Sequence, residues 1–229
     1  MGICSFSDGH NATVTCPVRF LQGNRVLVDA ARLAFGSGRE FIAVPEVRLL
    51  EVPGTVRARK IGKVDFLLAK VKGQKATDFA ALEIQSVYIS GRSIRPAFNQ
   101  YLAEGVVPED ALRRPDFRSS AQKRLMPQLA LKVPIFRRWG KRFFVAVDST
   151  LFATLPKMRT QTEGNAEVTW LVYPFARQVA GSYLMGNPTV YHSLWEDVLD
   201  SLREGRPPER HELLEELSRR LHKLVVLRT

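Results

Sequence analysis

Cysteine is scarce in this chain, with only Cys4 and Cys16 among 229 residues. Two thiols exclude the disulfide framework that staples small secreted domains. Long apolar runs are missing too; none approaches the roughly 20 residues that a membrane span requires. The opening residues, MGICSFSDGHNATV, have neither the basic start nor the apolar stretch of a secretory signal peptide. Phe6 stands where a myristoylation signal needs Ser or Thr. The sequon Asn11-Ala12-Thr13 is then expected to be incidental. There is no internal repeat. These absences lead to the expectation of a soluble cytoplasmic protein with no membrane partner.

Acidic residues are the scarcer charge. Lys and Arg number 34 against 23 Asp and Glu, a net charge of +11. The excess is spread over VRARKIGK (56–63), LRRPDFRSSAQKR (112–124), FRRWGKR (136–142) and LSRRLHK (217–223) rather than gathered in one tail. Dispersed basic clusters on a folded domain suit nucleic acid, because each cation can neutralise a phosphate. A basic surface that serves only solubility is the plain alternative. Apolar residues make up 45% of the chain, and its length is enough for one domain burying about 70% of its unfolded surface.

Periodicity orders the chain. Apolar residues at helical spacing over 23–36 end at Gly36, a C-cap candidate. Segments 41–52, 61–71 and 79–89 read as strands joined by turns. A polar, proline-bearing stretch leads to a helix over 119–140, with Ser119 or Ser120 as cap and Pro127 in its first turns or at a kink. Segments 141–152 and 165–175 read as buried strands. Helices are expected over 191–205 and 207–227. Leu213, Leu214, Leu217, Leu221 and Leu224 form a stripe on the last, either intrachain core or a dimer face. Three strands on short loops make an antiparallel meander. A strand that returns after a helix can join it in parallel. The expected class is α/β, a mixed β-sheet flanked by helices.

Two acids interrupt this apolar pattern: Asp65 in KVDFLLAKV and Glu83 in FAALEIQSVYI. Buried carboxylates need a partner. Glu83 and Gln85 share a strand face, and pairing of the second and third strands brings Asp65 beside them. Two carboxylates with an amide make a hard oxygen site suited to Mg²⁺, which can activate a water and neutralise phosphodiester charge. Lys63, Lys70 and the RARK cluster are the alternative partners, as plain ion pairs. Asp148 reads as a cap or ion-pair residue at a strand end. His192, His211 and His222 read as exposed.

The stretch KVDFLLAKV…ALEIQSVYISG resembles the core of the PD-(D/E)xK nucleases, with Gln85 where Lys is usual. It is most similar to the NotI-type restriction endonucleases, which carry an Asp, then Glu-x-Gln, an aromatic and Ser-Gly, here Tyr88 and Ser90-Gly91. CSFSDGHNATVTCPVRF, VPEVRLLEV, RRWGKRFFVAVD and EVTWLVYPF extend the resemblance from about residue 3 to about residue 176. It implies a restriction-endonuclease-like fold, with a nuclease core over 23–190, a cysteine-containing segment over 1–22, and C-terminal helices of the same domain over 191–229. It implies a Mg²⁺-dependent endonuclease cutting double-stranded DNA at a specific site, with Asp65, Glu83 and Gln85 catalytic. Asp65, Glu83 and Glu46 are the implied metal ligands. With Gln85 supplying dipoles rather than charge, more of the electrostatic work falls to the metal.

The same resemblance implies a four-cysteine iron site, of which Cys4 and Cys16 match the last two ligands; the first two would lie upstream of Met1. Iron or zinc there, with His10 nearby, or two plain buried thiols, are the readings that follow. Lys63, Arg92, Arg95, Arg113 and Arg114, with Tyr88, are candidates for DNA contact. A two-fold homodimer fits the cutting of both strands of a symmetric site, and a cognate DNA methyltransferase is the expected partner. The competing reading is a non-catalytic nucleic-acid-binding protein on a nuclease fold.

Overall fold

The computed structural model describes residues 5–7, 12–52, 59–89, 95–106, 115–178, 182–203 and 208–220. In chain order the elements are β1 (Ser5–Ser7), β2 (Ala12–Val14), α1 (Arg25–Phe35), β3 (Phe41–Val52), β4 (Arg59–Lys72), β5 (Lys75–Ile84), β6 (Tyr88–Ile89), α2 (Arg95–Glu104) and β7 (Pro115–Asp116). There follow α3 (Met126–Arg138), β8 (Phe143–Asp148), α4 (Ser149–Ala153), β9 (Val168–Tyr173), β10 (Phe175–Arg177), β11 (Tyr183–Met185), β12 (Thr189–Ser193), α5 (Trp195–Arg203) and α6 (Arg210–Arg219).

Six strands form one mixed sheet in the order β12-β9-β8-β5-β4-β3. β3, β4 and β5 are the antiparallel meander. β8 joins β5 in parallel, β9 joins β8 in parallel, and β12 closes the far edge antiparallel. α3 lies in the connection between β5 and β8, as a parallel pairing requires.

The central strands of the sheet are buried on both sides. Along β8 the side chains alternate: Phe143, Val145 and Val147 join a core with Leu129, Val133 and Phe136 of α3. Phe144 and Ala146 join the opposite core, with Val26, Ala30 and Ala31 of α1. Along β9, Val168, Trp170 and Val172 face the α3 side, and Leu171 and Tyr173 the α1 side. A strand apolar on both faces reads as an unbroken apolar run, which is why 143–148 and 168–173 stand out in the sequence.

Several boundaries differ from the periodicity. The strand expected over 141–152 stops at Asp148, whose side chain caps α4 by accepting the Leu151 N–H. The helix expected to start at 191 starts at Trp195, because Tyr191, His192 and Ser193 pair with β9. The strand expected over 79–89 breaks after Ile84, and Tyr88–Ile89 pairs instead with β7. The helix over 119–140 opens with a π-helical segment, Ser119–Leu125. Pro127 sits in the first turn of α3, and Pro134 lies inside it. The polar stretch holds α2, which was not expected. Leu213, Leu214 and Leu217 on α6 are each about half exposed, so they do not form intrachain core; Leu221 and Leu224 lie outside the described residues. No helix among the described residues is long and apolar enough to cross a membrane.

Asp148 also accepts the Val14 N–H at 3.1 Å, tying β2 to the end of β8. Burial pushes its carboxyl up to about 6 against these backbone donors. The folded protein therefore holds this proton more tightly than the unfolded chain does, and stability falls as pH rises from about 4 to about 6. Asp148→Asn keeps an acceptor and does not titrate. Its melting temperature relative to wild type should rise across that window, by the equivalent of about 3 kcal/mol at most. Asp148→Ala leaves two buried N–H groups unpaired and should cost about 2–4 kcal/mol at pH 4, less as pH rises through the window in which wild type itself loses stability. Melting curves at pH 4 and pH 7 check both; an Asn effect independent of pH would contradict the assignment.

Candidate active site

The β4–β5 ladder ends with Phe66 opposite Leu82. One step further, where Asp65 and Glu83 would face one another, the strands part. The Ile84 N–H donates to Asp65 Oδ2 at 2.8 Å instead of to a β4 carbonyl. β5 continues along β8, with Glu83 opposite Val145 and the Gln85 N–H donating to the Ala146 carbonyl at 2.9 Å. The Val87 N–H then reaches the Val14 carbonyl at 2.7 Å. A carboxylate that takes over a ladder amide both opens the sheet and fixes its own position.

Ala81 belongs to the core on the α3 side of β5, and Glu83, two residues on, points the same way. Glu83 is 3% exposed. What holds it is Lys132 of α3, whose Nζ donates to Oε1 at 2.7 Å and Oε2 at 2.8 Å. The third ammonium proton goes to Gln128 Oε1 at 2.9 Å, one helical turn back. All three donors of a lysine only 2% exposed are thus satisfied. Burial pushes the Glu83 carboxyl up to about 7, and the nearby charge of Asp65 adds to this. The charge and hydrogen bonds of Lys132 oppose both effects.

Neither lysine expected beside the acids pairs with them. Lys63 Nζ meets Glu46 Oε1 at 2.6 Å, in an exposed pair of little energetic weight. Lys70 pairs in the sheet beside Asp78. Lys132 is the residue that sequence reading missed. Its signal was present: Met126, Leu129, Val133 and Phe136 make the buried stripe of α3, and Lys132 lies on the same stripe. The neighbouring basic residues, Arg137 and Arg138 among them, disguise one buried lysine as part of a basic surface.

The other candidates disperse. Gln85 is buried, and its Nε2 donates to the Ser86 carbonyl at 2.6 Å. Glu46 lies on edge strand β3 across from Asp65, but its φ of 58° breaks the ladder between the Pro45–Phe66 and Val47–Val64 pairs. Its side chain is exposed and bound to Lys63, which holds its carboxyl below the usual range. Among the described residues no third His, Cys, Asp or Glu joins Asp65 and Glu83 in a metal-holding group. Arg95 begins α2 and is exposed, while Arg92, Arg113 and Arg114 lie outside the described residues. Tyr88 is partly exposed, with the Arg124 guanidinium 3.8 Å from its ring centre. Cys16 is half-buried and free; Cys4 and His10 lie outside the described residues. His192 sits on β12 beside Thr169 at 3.1 Å rather than on a helix. His211 is exposed on α6, and His222 lies outside the described residues.

The donor set of Asp65 and Glu83 fits a hard divalent cation. Both offer carboxylate oxygen, and the charge of Asp65 acts on Glu83 across the parted strands, a repulsion that a cation would relieve. Lys132 supplies one charge for the pair.

No curated protein matches the sequence. The family model of the restriction endonuclease NotI matches residues 4–185, well over half of the chain, and the matched stretch contains β3, β4, β5, α3, β8 and β9 together with Asp65, Glu83 and Gln85. The chain belongs to the NotI restriction endonuclease family, and so to the sequence-specific endonucleases that cut DNA.

Proposed function

We propose that this protein is a Mg²⁺-dependent restriction-type endonuclease hydrolysing phosphodiester bonds of double-stranded DNA, with its reacting centre at Asp65, Glu83 and Gln85. The observation that carries the reading is the parting of β4 from β5 where these two acids meet. Adjacent strands of a rigid sheet fix two carboxylates more closely than loops can. Asp65 and Glu83 would hold the metal, which when bound activates water and offsets charge on the phosphodiester. Asp65 is anchored by the Ile84 amide and Glu83 by its strand, so neither has to be ordered when substrate arrives. Gln85, whose amide now rests on a backbone carbonyl, has the donor and acceptor to orient a water or a phosphate oxygen. The +11 charge attracts the duplex. Two such centres in a two-fold dimer would cut both strands of a symmetric site, and a cognate methyltransferase would protect the host's copies of it.

The test is digestion of large, unmethylated, GC-rich genomic DNA with and without Mg²⁺, followed by sequencing of the ends. Discrete fragments sharing one end sequence, absent with chelator, are expected. DNA affinity should fall roughly tenfold or more between 50 and 200 mM salt, in proportion to the phosphates contacted. Salt-sensitive binding with no cleavage under any divalent ion would instead support a non-catalytic DNA-binding protein.

A further inference from the structure

We infer that Lys132 of α3 is a catalytic residue, supplying at the phosphate the positive charge that Gln85 cannot. This rests on the endonuclease reading above. Gln85, two residues beyond Glu83 and on the same strand face, is neutral. The nearest described cation to Glu83 comes from a different element, with its Nζ within 2.8 Å of both carboxylate oxygens.

A purely structural lysine is a poor explanation for this arrangement. The rest of the buried α3 stripe is apolar: Met126, Leu129, Val133 and Phe136. A buried ion pair is rarely more stable than well-packed apolar residues of the same volume. Stability alone would therefore favour another aliphatic side chain at 132, with a neutral one at 83. The site instead spends two buried charges, and Gln128 adds a third hydrogen bond that fixes the ammonium from one turn earlier on the same helix. Such aiming of a full charge in a water-poor place is what stabilises charge developing in a transition state. Were a divalent cation to engage Glu83, the two Lys132 donors now on that carboxylate would be freed while the Gln128 contact could persist. Those donors would then lie beside the acid pair, where a phosphate oxygen of the bound strand would arrive. Lys132 and a metal would thus compete for Glu83 before substrate binds.

Three measurements on the full-length protein test this: single-turnover cleavage, DNA affinity, and Mg²⁺ titration by calorimetry without DNA. Lys132→Met should slow cleavage by about 10²–10³-fold, the usual effect of removing one preorganised donor. DNA affinity should change little. Mg²⁺, titrated at a pH alkaline enough to keep Glu83 ionised without its lysine, should bind at least several-fold more tightly, because the competitor for Glu83 is gone; a merely space-filling lysine predicts no such gain. Adding Gln85→Lys to Lys132→Met restores a cation from β5 and should recover cleavage at least tenfold. Lys132→Met cutting within threefold of wild type overturns the inference, as does a double variant no faster than the single one. Should Lys132→Met fail to fold, the double variant decides alone: cleavage above about one-hundredth of wild type, the least that a tenfold recovery from a 10³-fold loss gives, upholds the inference, and anything less overturns it. Wild type and Asp65→Asn run alongside. If wild type does not cleave, or Asp65→Asn cleaves normally, the endonuclease reading has failed; if both behave as expected, only the role of Lys132 is in question.

Discussion

Asp65→Asn should lower single-turnover cleavage of duplex DNA by about 10³–10⁴-fold while moving the melting temperature by no more than a few degrees. The substitution keeps the shape of the side chain and an oxygen acceptor for the Ile84 N–H, so the parting of β4 and β5 survives. What it removes is one of two negative charges available to a divalent cation. Metal stabilisation of a phosphodiester transition state is worth several kcal/mol, and each 1.36 kcal/mol is a factor of ten in rate. Loss of this charge also relieves the repulsion that helps push Glu83 up to about 7. The Glu83 carboxyl then moves back toward its ordinary range, and the folded protein gains rather than loses stability near neutral pH. A variant that is folded, binds DNA and does not cut is therefore expected. Cleavage within tenfold of wild type would place the chemistry elsewhere in the molecule.

The acid pair was legible because it violates a pattern. Strands β4 and β5 are apolar enough that Asp65 and Glu83 stand out, and the short turn between the strands fixes them as neighbours. The central strands β8 and β9 were legible for the same reason, as runs that satisfy neither helical nor alternating periodicity. The misreadings share a different cause. Asp148 ends β8 because its side chain, not the run of apolar residues after it, decides where the chain turns into α4. Tyr191, His192 and Ser193 look like the first turn of a helix until β9 offers them a ladder. Tertiary partners overrode local preference in both cases. Lys132 was missed because a basic residue among basic neighbours carries no sign of its burial; only the seating of α3 on the sheet shows that it faces Glu83.

That pair sets the second large effect, on stability. Lys132→Met alone should cost about 3–5 kcal/mol, since it leaves Glu83 buried without its counter-charge. For a chain of this size each kcal/mol moves the midpoint by about 2–4 °C, so a drop of roughly 6–20 °C is expected. The drop should be smallest at acid pH, where Glu83 is neutral in the folded state. Glu83→Gln should cost less, because the amide oxygen still accepts from Nζ. The informative protein is Lys132→Met with Glu83→Leu, which replaces both charges by apolar groups on the same two elements. It should recover most of the loss and can exceed wild type, because neither charge is left to desolvate. The double-mutant cycle then gives a coupling of several kcal/mol for a pair whose joint removal is nearly free. A single-variant loss below about 1 kcal/mol, or a double variant no better than Lys132→Met, would show that the two side chains do not depend on one another. The expected outcome separates the two roles of the pair. On that outcome the fold would not require Lys132 and Glu83 together; it would only fail to tolerate one without the other. With that outcome stability would explain why they are matched and not why they are charged, and the proposed chemistry of the site they share with Asp65 would account for the charge.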